Sequence, residues 1–204
     1  PEFFTVARAD AFFRAMVQCG NGTPVPSSVT SVSFADVVFA GTYTINSANP
    51  TTWPGPPGSN FNSFNAAVAA MSCGITGPVV FNVERGAANG VYSEQVSIPY
   101  IKNSSDVNTI TFQSADGIAA SINLTNASSV ATANYTLRLD SVNYVTFRNL
   151  TISATNTSFG RAIELTKGAS FNTITRCIVN SPVVTLSTNS VAGIYTNGLR
   201  GVAN

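Results

Sequence analysis

The sequence has no histidine, and only 9% of its 204 residues are charged, against roughly 25% in an ordinary soluble protein. Without histidine, Ser-His-Asp and Cys-His nucleophilic mechanisms are excluded, and so are imidazole-ligated metals. Lysine occurs only as Lys102 and Lys167, and the net charge is +1, so no basic stripe is present to track a phosphate backbone. Nucleic acid is therefore not an expected partner. No apolar run approaches the ~20 residues of a membrane-spanning helix, so no membrane insertion is expected. The opening "PEFFTVARADAFFRAM" has Arg8, Asp10 and Arg14 spread through it and does not read as a signal peptide. Three cysteines cannot all pair. Cys19 and Cys73 are the candidate disulfide pair if the chain is extracellular, with Cys177 read as a buried thiol at an inward position.

What is abundant is neutral and polar. Asn, Ser and Thr number 21, 23 and 23, about a third of the chain, beside 44% hydrophobic residues. That mixture favours β-structure joined by Asn- and Ser-rich turns. Residues 1–40 are heterogeneous, with a helical-looking start followed by the Pro/Ser/Thr linker "NGTPVPSSVTSVS". "VVFAGTYTI" reads as a strand and "TTWPGPPGSN" as loop. In "SNFNSFNAAVAAMSCGI", Phe61, Phe64, Val68 and Met71 lie on one helical stripe. An amphipathic helix is expected at about residues 61–73, capped by Asn60 or Asn62 and ended by Gly74. Its expected role is to cover the apolar end of a long β region C-terminal to it.

From residue 77 onward, short alternating strands succeed one another and repeat. Laying "YTLRLDSVNYVTFRNLTI" over "RAIELTKGASFNTITRCIV" matches Leu137 with Ile163, Phe147 with Ile174, Leu150 with Cys177 and Ile152 with Val179, and a third copy begins at Ile194. A period of this size with several strands per repeat predicts a solenoid whose inward residues stack from one repeat to the next. No two-residue Asn-Gly or Asp-Gly turn joins these strands as a hairpin sandwich would require. The expected fold class is all-β: a parallel β-helix over residues 41–204 with an N-terminal amphipathic capping helix. "GIYTNGLRGVAN" starts another repeat, so further β-helix coils, from this chain or another copy, are expected at that end.

Together "GTYTI", "GITGPVVFNV", "GVYSEQVSIPYI" and "NYVTFRNLTI" resemble a repeat region of very large secreted and cell-surface proteins of Bacteroidota exported by the type IX secretion system. The resemblance runs from residue 41 to about residue 200. It implies a right-handed parallel β-helix, an extracellular or cell-surface location, and adhesion or polysaccharide contact. "GVYSEQVSIPYI" is also similar to the scaffold of pectin methylesterases. Their reactive residues do not carry over. Arg161 in "RAIEL" stands where that family has a glutamine, Gln18, Gln95 and Gln113 are not followed by aspartate, and the Asp-Phe-x-Phe-Gly segment is missing. Tyr92 and Glu94 belong to the part of the motif that builds the coil.

Candidate site residues are few. Trp53 is a candidate sugar-stacking aromatic, with pinning of its own loop the favoured alternative. Glu84, Arg85 and Glu94 are candidate groove residues alongside Asp106, against the simpler reading of a solvated rim. Glu164 is expected to meet Arg138 across the repeat as an outer-face ion pair worth ~0–1 kcal/mol, rather than to act as one of the two carboxylates glycoside hydrolysis needs. Asp106, Asp116 and Asp140 are too scattered to predict a calcium site. "DSV" resembles a short Bacteroidota O-glycosylation acceptor and would put a glycan on Ser141, whereas seven Asn-x-Ser/Thr triplets are what this composition yields by chance. No metal and no cofactor are expected. The leading expectation is a non-enzymatic adhesin or spacer module contacting polysaccharide. The alternatives are part of a carbohydrate-active enzyme whose active coils lie beyond residue 204, or a subunit of an extracellular filament.

Overall fold

The computed structural model describes residues 39–184 and 191–197, together with four short strand spans closer to the N-terminus. The chain divides into two units, Pro1–Val38 and Phe39–Asn204. In the first, β1 (Ala11–Phe13) pairs antiparallel with β4 (Thr30–Val32), and β2 (Met16–Val17) with β3 (Val25–Pro26). Strands therefore stand where the sequence suggested a helical start.

The second unit is mostly β, made of parallel sheets and one short helix. It begins with β5 (Gly41–Ile45), β6 (Asn60–Phe61) and α1 (Phe64–Ala70). Four rounds of three strands come next: β7 (Val79–Val83), β8 (Val91–Ser93) and β9 (Val96–Ile98); β10 (Ile110–Ser114), β11 (Asn123–Asn126) and β12 (Tyr135–Asp140); β13 (Val145–Arg148), β14 (Thr151–Ala154) and β15 (Arg161–Thr166); β16 (Thr173–Thr175), β17 (Ile178–Asn180) and β18 (Ala192–Asn197). Each round gives one strand to each of three sheets, ordered β16-β13-β10-β7-β5-β6, β17-β14-β11-β8 and β18-β15-β12-β9. Every pairing in these sheets is parallel.

Period-2 alternation makes these strands, because side chains on a strand point to opposite faces in turn. In β7, Val79, Phe81 and Val83 are buried while Val80 and Asn82 are partly exposed. Parallel register then stacks like on like. Tyr43, Phe81, Phe112, Phe147 and Ile174 are successive partners across the first sheet. Their rings stack with centroids 4.7 Å apart for Phe81–Phe112 and 5.2 Å for Phe112–Phe147. The expected matches Leu137–Ile163, Phe147–Ile174, Ile152–Val179 and Ile163–Ile194 are all observed.

Corners repeat as well. Ser141 and Lys167, Tyr144 and Phe171, and Asn149 and Arg176 occupy matching places in consecutive rounds, and all six have positive φ. L-residues disfavour that region, so its recurrence at the same three corners means the turn geometry is dictated by the strands on either side.

The helix starts three residues later than the sequence suggested. Phe61 belongs to β6, and a 3₁₀ turn, Met71–Cys73, continues α1 until Gly74, at φ 95°, ends it. Phe61, Phe64, Val68 and Met71 are all buried. The expected caps are corrected: Ser63, not Asn60 or Asn62, is the N-cap, its hydroxyl accepting from the Ala66 N–H at 3.0 Å. Asn60 instead donates its side-chain amide to the carbonyls of Asn46, Asn49 and Pro50, tying down the proline-rich loop. α1 packs against β6 and against β9, the edge strand of the third sheet.

Candidate functional site

The four candidate residues from the sequence fall in three places. Trp53, half-buried, meets Phe39 edge-on at 4.6 Å and Tyr43 at 5.8 Å, so its ring pins the loop to the core. Glu94 is occupied by the helix: Oε1 accepts the Phe64 N–H at 3.0 Å, and Oε2 accepts the Asn65 N–H and side-chain amide, each at 2.9 Å. These are N–H groups that a helix leaves without internal partners. Tyr92, two residues earlier, is buried and donates to the Glu84 carbonyl at 2.6 Å and the Ile45 carbonyl at 3.1 Å. Burial is the main reason its hydroxyl pKa is raised. The opening stretch of the motif therefore builds the scaffold.

Glu84 and Arg85 do line a cleft, of about 170 Å³, but with Asp116 and without Glu94 or Asp106. Asp116 lies 3.9 Å from the Arg85 guanidinium. Its carboxylate accepts from the hydroxyls of Ser114 at 2.5 Å and Ser121 at 2.6 Å, and from the Ile118 N–H at 2.9 Å. The Ser114 and Ser121 hydrogen bonds, more than the distant arginine, lower its pKa to about 2. A carboxylate held ionised in this way has no proton to donate at neutral pH. Glu84 is exposed and takes a 2.6 Å hydrogen bond from the Asn46 amide. Val83, Ala115 and Ile122 complete the lining, so most of the cleft wall is apolar.

Glu164 overturns one expectation. It does meet Arg138 across the rounds, at 2.5 Å, but it is only 4% exposed and not a solvated outer-face residue. A second guanidinium, that of Arg161, reaches its other oxygen at 2.8 Å. Arg138 lies over the Tyr135 ring at 3.7 Å and Arg161 over the Tyr195 ring at 3.6 Å. The carboxylate is thus locked between two cations that are each backed by an aromatic face, which ties three rounds together.

The outer face of the first sheet differs in character. One column runs Thr42, Val80, Thr111, Thr146 and Thr173 in register, all β-branched and none charged. The next runs Thr44, Asn82, Gln113, Arg148 and Thr175, where the Gln113 amide donates to the Asn82 side chain at 3.0 Å. At the corner leading into this face, two residues before Thr146 and Thr173, the rings of Tyr144 and Phe171 stack 5.1 Å apart at 6°. Phe171 is 72% exposed. Sequence reasoning passed over this pair, although the overlay that aligned Phe147 with Ile174 also aligns Tyr144 with Phe171.

Ser141 sits at the corner after β12 in a positive-φ conformation (63°), partly exposed. Cys73 carries a free, exposed thiol. Its expected partner Cys19 lies outside the described residues. Cys177 is half-buried at a corner, and burial is the main reason its pKa is raised. Among the described residues no three His, Cys, Asp or Glu side chains gather where they would hold a metal, and no helix is long and apolar enough to cross a membrane. Comparison with protein-family models, with curated proteins and with solved structures finds no match to this chain.

Proposed function

We propose that residues 39–184 and 191–197 belong to a closed, right-handed parallel β-helix that serves as an extracellular or cell-surface module contacting polysaccharide, without catalysis. Closure is supported by the one-strand-per-sheet order of each round, and right-handedness by the strong preference of parallel crossovers for that hand. The observation that carries the function is the face of the first sheet: a column of threonines with one valine, repeated at the ~4.8 Å spacing between neighbouring strands. Threonine hydroxyls donate and accept without titrating, which suits sugar hydroxyls better than it suits ions. The resemblance to repeat regions of Bacteroidota surface proteins points the same way. Among the described carboxylates, Glu94, Asp116 and Glu164 are taken up by structural partners, which supports a module without catalysis.

A panel of immobilised neutral and acidic polysaccharides, probed between pH 5 and 9, tests the reading. Weak retention on a neutral glycan, unchanged across that range and in salt, is the expected result. Retention only on acidic glycans, lost in salt, would point to Arg148 and Arg85 instead. No retention on any glycan, with no effect on whole-cell attachment, leaves only a spacer.

A further inference from the structure

Resting on that reading, we propose that the stacked rings of Tyr144 and Phe171 are the docking platform for a neutral pyranose ring. Two features mark the pair, at a corner whose backbone geometry the flanking strands set; Lys167 and Arg176 share positive φ at their own corners. Both residues have positive φ, 61° and 55°, a conformation that suits glycine or asparagine and is unusual for a bulky side chain. Asn149, at another corner, is an example of the better-suited residue. Burial does not compensate, since Phe171 is 72% exposed. A stacked aromatic pair with a face this exposed on the surface is a reason to look for a ligand.

The surroundings fit a sugar. The backbone on both sides of the rings is fixed by a two-round asparagine lattice. The Asn143 side chain accepts from the Ser170 N–H at 2.8 Å and hydroxyl at 2.9 Å. Asn172 accepts from the Val145 N–H at 3.0 Å and donates to the Val142 carbonyl at 2.9 Å. Thr146 and Thr173 follow the rings by two residues, in the strands that this corner leads into, and offer hydroxyls to a pyranose laid with its C–H face on Phe171. The nearby charges, Lys167 and Asp140, neutralise one another at 2.9 Å, so nothing at the corner calls for an ionic ligand.

The test is calorimetric titration of the full chain with the β-1,4-linked hexasaccharides of glucose, N-acetylglucosamine and mannose. The wild-type chain is compared with Phe171→Leu and with the double variant Tyr144→Asn/Phe171→Asn. The wild type is expected to bind at least one hexasaccharide, and both variants to bind it at least tenfold more weakly. The Asn variant should keep or raise its melting temperature, because asparagine suits the backbone better. Phe171→Leu keeps an apolar surface but no flat face, so undiminished binding by it overturns the platform in favour of a merely apolar contact. Undiminished binding by the double variant places the sugar elsewhere, with the surface-module reading intact. A wild type that binds neither these sugars nor any glycan on the polysaccharide panel overturns that reading together with the platform. Loss of binding accompanied by a drop of many degrees in melting in both variants makes the stack a structural tie, and overturns the platform as well.

Discussion

The carboxylate of Glu94 holds the first N–H groups of a helix that begins thirty residues earlier, accepting from Phe64 at 3.0 Å and from Asn65 at 2.9 Å. The contact joins the first round of strands to the helix that precedes it. A carboxylate at a helix N-terminus also meets the positive end of the helix dipole. Glu94→Ala is expected to cost about 1–2 kcal/mol, and Ser63→Ala, which removes the local cap, about 1 kcal/mol. Urea unfolding reads both. Amide exchange should quicken in residues 64–70 while the strands of the third round stay protected. Equal quickening throughout would mean the helix and the rounds open as one unit.

Two ion pairs of similar length should differ widely in what they contribute. Glu164 is buried between two guanidiniums, so Glu164→Ala strands two partly buried cations and is expected to cost about 3 kcal/mol. Lys167 and Asp140 meet at 2.9 Å, but the lysine side chain is 69% exposed. Lys167→Met is therefore expected to change stability by less than about 0.5 kcal/mol. Thermal melts of the two variants side by side decide the matter. If both shift alike, burial is not what separates these pairs.

These contacts also mark what the sequence can and cannot convey. Register was readable in the last three rounds because Thr173 follows Thr146 by 27 residues and Ile163 follows Leu137 by 26, so alternating apolar letters overlay directly. The earlier pairings of the first sheet were harder, since Ile110 follows Val79 by 31 residues and Val145 follows Ile110 by 35. Loops of unequal length shift the frame while the strands stay paired. The pairing of Glu164 with Arg138 was legible, but its burial was not. Burial there depends on Arg161 and Tyr195, which lie over the pair by folding geometry rather than by pattern. Glu94 was misplaced for the same reason: a side chain serving a helix thirty residues back leaves no local signature. Asp116 could not be joined to Arg85 until the corners themselves were known.

Thiol chemistry offers a prediction with a chemical readout. Cys73 is exposed, whereas burial raises the pKa of Cys177, whose thiol donates to the carbonyls of Phe147 and Thr175 at 3.5 and 3.4 Å. The thiolate is the reactive species. Iodoacetamide at pH 8 is therefore expected to label Cys73 well before Cys177 in the folded chain, with the difference vanishing in denaturant. Peptide mass mapping over a time course reads both sites. Equal rates in the folded chain would mean the corner around Cys177 opens readily.

Acid should act on the chain through Asp116. Its pKa is lowered from 3.8 to about 2, chiefly by the hydroxyls of Ser114 and Ser121 and next by the Ile118 N–H. A carboxyl whose pKa is lower in the folded chain adds stability that is complete above the unfolded value and disappears as pH falls through the folded one. The contribution of Asp116 is therefore fully present above about pH 4 and fades toward pH 2. Asp116→Asn keeps an acceptor for the hydroxyls but cannot ionise. Its melting temperature should lie below that of the wild type at pH 6, and the gap should narrow steadily between pH 4 and pH 2. Arg85→Met, which removes a partner 3.9 Å away and 58% exposed, should leave that narrowing almost unchanged. If the arginine variant abolished it, the guanidinium rather than the two serines would be holding the charge.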